Sequence, residues 1–285
     1  MELKKISDEI KELIANYQKK NNLSFTEDTH TYFIKDKNGK TTSDMPSVST
    51  VLKAFYNPFI AESTKSFKNC GGDPIKEKEL LDKWQATADY ATNKGSRVHY
   101  LLETNTIAQY GAYKEVREPI FECDEEQIKD GDQMIKAGKE FLDLMHSRGA
   151  VLLDTEMVLG SLDYGYFGQP DTVWLMKDKN GKPGIVITDW KSNKESNMDD
   201  VKKFWTKPML KPFENLNDNA LNHYKIQLPL YGKLLLKMLE GTKYSDIKLL
   251  GCVIVHLTNS GKYTEHRVNK EIINKIFEMD VKDYL

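Results

Sequence analysis

The chain has 285 residues, 39% of them hydrophobic, with 41 Lys and Arg against 43 Asp and Glu for a net charge of -2. That length can bury a sizeable core in one large domain, and the charge balance excludes a globally basic nucleic-acid binder, so any contact with a polyanion must come from a local surface. Three widely spaced cysteines, Cys70, Cys123 and Cys252, argue against a disulfide framework, fit a reducing interior such as the cytoplasm, and cannot supply the four thiolates of an iron–sulfur cluster.

Residues 1–22 have no apolar signal core and predict an amphipathic helix with Leu3, Ile6, Ile10 and Leu13/Ile14 on one stripe. Residues 24–42 predict a hairpin turning at Asn38-Gly39, and 46–56 a short helix opened by Pro46 with Val48, Val51, Leu52 and Phe55 inward. A loop to about residue 78 precedes a helix over 76–105, expected to break near Asn93-Lys94, and a second helix over 124–148 with Ile128, Ile135, Phe141, Leu142 and Met145 apolar. Strands follow at 150–159, 166–176 and 184–191, then a polar stretch to Asn222, a helix to about Leu239, strands at 248–257 and 262–268, and a C-terminal helix. The longest apolar run, Leu249 to Leu257, is too short to span a bilayer as a helix. The expected fold is α/β, a mixed sheet flanked by helices. Residues 1–92 form an N-terminal helix, hairpin and helical extension and 93–285 the core, or the two form one continuous domain.

The segment GQPDTVWLMKDKNGKPGIVITDWK carries the chemistry. Asn180-Gly181 marks a turn between two β-rich runs. A turn centred there sets Asp171 beside Asp189 and Trp190, and Lys191 beside Pro170. By strand alternation Asp189 and Lys191 share a face with Ile185 and Ile187, and Trp190 points into the core on the other. Two carboxylates about 4 Å apart repel by roughly 4 kcal/mol at an effective dielectric of about 20. One takes up a proton, or a hard divalent cation such as Mg²⁺ sits between them. A cation beside a lysine suits hydrolysis of a phosphodiester. A surface hairpin with a salt bridge is the competing reading. The Asp/Glu-x-Lys spacing also occurs at Glu9, Asp200, Asp246 and Asp280, so the β context and the single Pro-Asp of the chain select this copy.

Upstream lies Gly95-Ser96-Arg97-Val98-His99, and downstream Gln227-Leu228-Pro229-Leu230-Tyr231; each pair of end residues shares a helical face. His99 can ligate a divalent ion through a neutral nitrogen. Glu156 falls on the strand over 151–159 in phase with Leu152, Asp154 and Val158; it is a third acidic candidate, with Asp154 as competitor. Pro229 removes a backbone donor and is expected to kink its helix. Between Lys191 and Lys211 six lysines face three acidic residues, with Phe204 and Trp205 interleaved, which suits phosphate contact and base stacking as well as a solvated loop. No glycine-rich phosphate loop of an ATP motor is present in the sequence.

Taken in order, Gly95…His99, Glu156, Pro170-Asp171, Asp189-Trp190-Lys191 and Gln227…Tyr231 resemble the motif series of the RecB-like branch of the PD-(D/E)xK nucleases, phage-encoded exonucleases above all. The segments over 45–52 and 211–219, the latter running into His223-Tyr224, are similar to flanking segments of those phage proteins. The resemblance spans roughly residues 25–257 and implies a restriction-endonuclease-like core and Mg²⁺- or Mn²⁺-dependent DNA hydrolysis in the host cytoplasm, with DNA and a phage recombination or replication protein as partners and no membrane. It implies Asp171, Asp189, His99 and the Trp190 carbonyl as metal ligands, and Lys191 to orient or deprotonate the attacking water. Glu156 joins these at the reacting centre, and Gln227 and Tyr231 hold Lys191 or contact the phosphate. Gly95, Arg97, Lys194, Lys202, Lys203 and Lys207 are implied on DNA, with Gly95 leaving room for its backbone. A structure-specific or nicking endonuclease, a non-catalytic DNA-binding or assembly module of the same fold, and a hydrolase of another phosphoester are the alternatives.

Overall fold

The structure, a computed structural model, describes residues 2–110, 121–194, 198 and 207–285. Helix α1 (Glu2–Asn21) turns Ile10 and Ile14 inward. A small antiparallel sheet follows, of β1 (Ser24–Thr26), β2 (Thr31–Lys35) and β3 (Thr41–Thr42). Helix α2 (Val48–Leu52) is capped by Ser47, whose side chain accepts from the Thr50 N–H. The short α3 (Lys65–Lys68) leads to the 37-residue α4 (Pro74–Tyr110). Helix α5 (Glu125–Ser147) opens with a reciprocal Asp124–Gln127 capping box. Then come β4 (Val151–Thr155), β5 (Leu159–Ser161), β6 (Tyr166–Gly168), β7 (Thr172–Lys177), β8 (Pro183–Lys191), α6 (Ala220–Met238), β9 (Lys248–Leu257), β10 (Tyr263–Arg267) and α7 (Lys270–Glu278).

The main sheet has the order β10-β9-β8-β7-β4. Only β8 and β9 pair in parallel, and the chain between them carries α6, since parallel neighbours need a crossover. Alternation along the strands gives the sheet two apolar faces. Val173, Leu175, Ile185, Ile187, Cys252 and Ile254 pack with residues of α1, α2, α6 and α7. Leu152, Trp174, Trp190, Val255 and Leu257 pack with Val98 and Leu102 of α4 and Phe141 and Leu142 of α5. The fold is therefore mixed α/β with helices on both faces of the sheet. The N-terminal segment joins the first core: Ile10, Ile14, Val48 and Phe55 are buried in it, and the Ser7 hydroxyl donates to the Leu152 carbonyl on β4 at 3.3 Å.

The hairpin over 172–191 pairs Thr172 with Thr188, which sets Asp171 opposite Asp189. The register differs by one residue from the expected pairing of Lys191 with Pro170. Asp178 Oδ1 accepts from the N–H groups of Asn180 and Lys182, both at 2.8 Å, so the turn spans 178–182 and centres on Asn180. Gly181 takes φ 77°, the left-handed region that favours glycine.

Three expectations are corrected. Helix α4 does not break at Asn93-Lys94: Asn93 Nδ2 donates to the Glu122 carbonyl at 3.3 Å and Lys94 pairs with Asp130 at 3.7 Å, so both brace the helix against the chain of α5. The strands expected over 150–159 and 166–176 are each divided, because Pro170 has no N–H for a ladder and Glu156 adopts φ 45°. The pieces β5 and β6 form a separate two-stranded hairpin. Ile128, expected on the apolar face of α5, is 39% exposed. Among the described residues, no helix is long and apolar enough to cross a membrane.

Phe141 locks α5 to the sheet beneath Trp190, their ring centroids 5.6 Å apart and nearly perpendicular. Replacing it with Ala should cost about 3–5 kcal/mol, the usual range for deleting a buried aromatic ring. Urea denaturation of the variant against the native chain measures this.

Candidate active site

The site lies at the end of the sheet where β8 finishes. Asp171, just before β7, is its node. Its Oδ2 accepts from the Trp190 N–H at 2.6 Å, beyond the last rung of the β7–β8 ladder. Its Oδ1 stands 3.3 Å from His99 Nδ1 on α4. Its backbone carbonyl accepts from the Glu156 N–H at 3.1 Å. Gln169 completes this loop, with Nε2 donating to the Glu156 carbonyl at 3.2 Å while Oε1 accepts from the Tyr32 hydroxyl at 3.3 Å. One ligand atom each from His99, Glu156 and Asp171 lie within 4.8 Å of one another. Asp189 and Lys191, two apart on β8, meet as an ion pair through Oδ2 and Nζ.

An open cleft of about 560 Å³ lies beside this cluster, lined by His99 and Glu156 together with Gly95, Tyr100, Glu103 and Asn193, among others. Gly95, His99 and Glu103 recur every fourth residue, so α4 presents one continuous face to it. Glu103 was missed in the sequence although this spacing, GxxxHxxxE, is visible there; its Oε1 accepts from the Thr155 hydroxyl at 3.3 Å. A Cβ at Gly95 would stand 3.2 Å from Ser192 Oγ, a close contact that a small shift of that hydroxyl relieves.

Glu156 reaches the site by a route other than the expected one. The β4–β7 register shifts between Leu152 and Asp154, and Glu156 then turns left-handed at φ 45°, so parity with Leu152 and Val158 does not apply. Asp154, the competing carboxylate, instead accepts from the Thr155 N–H at 2.9 Å and is not in the three-residue cluster. Trp190 is 2% exposed and packs on the far face, as expected. Gln227 Nε2 donates to the Tyr231 hydroxyl at 2.7 Å, and α6 runs through Pro229 as one helix. The Tyr231 ring lies so close to Gly168 that a Cβ there would approach it to 2.6 Å. Arg97 does not line the cleft: its Nη2 pairs with Asp132 of α5 at 2.8 Å. Lys194 and Lys207 are exposed, whereas Lys202, Lys203, Phe204 and Trp205 lie outside the described residues.

The electrostatics separate the two aspartates. Burial alone would raise Asp171, but His99, Lys191 and the Trp190 N–H outweigh it and hold its carboxyl below the usual carboxylate range. Asp189 goes the other way, raised by burial and then by the negative charge of Asp171. Burial would lower Lys191, yet Asp189 and Asp171 prevail and raise it. A lysine held so firmly in the charged form stabilises negative charge more readily than it removes a proton. Tyr231 is raised well above its ordinary value by burial and the nearby Asp189 charge.

One imidazole nitrogen and two carboxylates are a donor set for a borderline-to-hard divalent cation. Ligand atoms at about 2.1 Å from a shared octahedral cation stand about 3 Å apart. The 3.3 Å between His99 Nδ1 and Asp171 Oδ1 fits that spacing. Asp189 is not in the three-residue cluster, and its buried Oδ2 is paired with Lys191 Nζ. No protein-family model matches the chain, and no curated protein matches its sequence.

His99 tests the electrostatics directly. Burial pushes its pKa down, but the Asp171 carboxylate more than compensates, so the imidazole should titrate above the free value of 6.5 in metal-free protein. Asp171→Asn removes the charge that stabilises the imidazolium and leaves the burial, so the midpoint should fall. An NMR titration of the His99 ring resonances in both proteins reads the shift.

Proposed function

We propose that the protein is a divalent-metal-dependent DNA nuclease, an exonuclease of the RecB-like PD-(D/E)xK kind that its motif series resembles. The observation that carries this reading is the clustering of His99, Glu156 and Asp171 beside the Asp189–Lys191 pair at the edge of an open cleft. The reading extends the mixed α/β sheet to a restriction-endonuclease-like core, and assigns the enzyme to phage DNA replication, recombination or breakdown in the host cytoplasm.

His99, Glu156 and Asp171 would hold Mg²⁺ or Mn²⁺, with Asp189 and the Trp190 carbonyl as further ligands. The imidazole in the set favours Mn²⁺ more than an all-oxygen site would. The bound cation supplies Lewis-acid stabilisation of charge on a phosphoryl oxygen. Lys191 contributes a fixed positive charge to the same developing negative charge. The Gln227–Tyr231 pair braces the site from α6, and Lys194 with Lys207 offers exposed charge to the DNA backbone.

The test uses the purified full chain on matched linear and covalently closed DNA with Mg²⁺, Mn²⁺ or chelator. Cleavage should require the metal, run faster on linear DNA, and disappear in Asp171→Ala. Turnover undiminished by chelation would sink the mechanism, and rapid cutting of closed circles would move the activity to an endonuclease.

Metal binding and chemistry should also separate. In Mn²⁺ titration calorimetry, Glu156→Gln and His99→Ala should weaken binding strongly, while Lys191→Ala retains it. Lys191→Ala should instead slow cleavage by roughly 10²–10⁴-fold, the scale of a positioned electrostatic or acid–base group. Equal loss of metal affinity in all three would contradict this division.

A further inference from the structure

Lys191 is a long, flexible side chain with much rotamer freedom to lose. An ion pair with Asp189 alone leaves it free to rotate about that contact. A second set of contacts, from three residues with no assigned role, surrounds it. Its Nζ lies 4.5 Å from the centroid of the Tyr224 ring, in cation–π range. The Tyr224 hydroxyl donates to Asn193 Oδ1 at 3.0 Å. The Asn193 carbonyl is 2.7 Å from His256 Nε2. A carbonyl oxygen can only accept, so His256 Nε2 must carry the hydrogen. His256 is 3% exposed and sits beside Lys191 in the parallel β8–β9 register, on the same face of the sheet. The contacts thus close on themselves, from the ring above the ammonium, through Asn193 just beyond β8, to the strand neighbour of Lys191.

We propose that Tyr224, Asn193 and His256 are positioning residues that clamp the Lys191 ammonium in place against Asp189. What Lys191 does once clamped rests on the nuclease reading; where it is held does not. Tyr224 gives its aromatic face, which confines the cation without neutralising it. Asn193 fixes the ring through its hydroxyl, and His256 fixes Asn193 through its backbone.

Two independent measurements test the clamp. In metal-free protein, amine acylation read by mass spectrometry compares Lys191 with the exposed Lys194 as internal reference. Lys191 should be protected in the native chain and in Tyr224→Phe, and should become reactive in Tyr224→Leu, which keeps apolar bulk but loses the ring face. In DNA cleavage, Tyr224→Leu should lower kcat by about 10–100-fold with KM unchanged, the scale of a misplaced reacting group. Tyr224→Phe should lose only about five-fold, one hydrogen bond's worth. His256→Gln, which keeps a donor for Asn193, should retain more rate than His256→Leu. Thermal unfolding checks each fold. Should Tyr224→Leu fail to fold, Asn193→Ala replaces it, with raised Lys191 labelling and lowered kcat expected.

Unchanged Lys191 protection in the folded Leu variant overturns the clamp, as does a loss confined to KM. Equal losses in the Phe and Leu variants, or in the Gln and Leu variants, reduce these residues to packing and overturn it too. A native chain that cleaves no DNA with any metal overturns the nuclease reading, and the labelling comparison then decides the clamp alone.

Discussion

Asp171 is the constraint on which the site depends. One residue closes three contacts: a side-chain oxygen on the Trp190 N–H, the other against His99, and its carbonyl on the Glu156 N–H. These join β8, α4 and the turn after β4. Pro170 makes the arrangement possible, because it ends the ladder and frees the next residue to use its side chain where a strand would use backbone. A buried carboxylate needs such partners, since an unpaired one would be forced to take up a proton. The same groups that make Asp171 tolerable in the fold keep it ionised.

The second aspartate shows why the two are not equivalent. Asp189 is more deeply buried and feels Asp171 as a like charge, and both effects raise its pKa. Lys191 compensates it. A buried pair of this kind is weak evidence for stability, because desolvation offsets much of the attraction. A cation–π contact with Tyr224 adds to the hold on the ammonium. If Lys191 is removed, Asp189 can neutralise itself by protonation, so the fold need not collapse with the function.

Much of this was legible in the sequence because strands have a period of two. The turn at Asn180-Gly181 and alternation on either side were enough to pair Asp171 with Asp189 and to send Trp190 into the opposite core. Both helical pairs, Gly95 with His99 and Gln227 with Tyr231, follow from the four-residue repeat. Glu156 was found by order in the motif series but placed by a parity that a bulge and a left-handed turn invalidate. Arg97 looked like a DNA contact because charge in a motif says nothing about which neighbour takes it, and Asp132 takes it. The Tyr224–Asn193–His256 contacts could not be read, because they join residues brought together only by the β8–β9 crossover.

The sheet explains why the buried charged residues concentrate at one end. Along β8, Trp190 enters the core under α4 and α5, while Asp189 and Lys191 emerge on the face packed by α6. Helix α4 therefore brings His99 and Glu103 over the sheet end from one side, and α6 brings Tyr224, Gln227 and Tyr231 from the other. Two glycines lie on these approaches, Gly95 near Ser192 and Gly168 against the Tyr231 ring. A side chain at Gly168 would collide with that ring, whereas one at Gly95 needs Ser192 Oγ to give by only a few tenths of an ångström. Gly168 thus lets the Tyr231 ring of α6 lie against the end of β6, shortly before Asp171 in the chain.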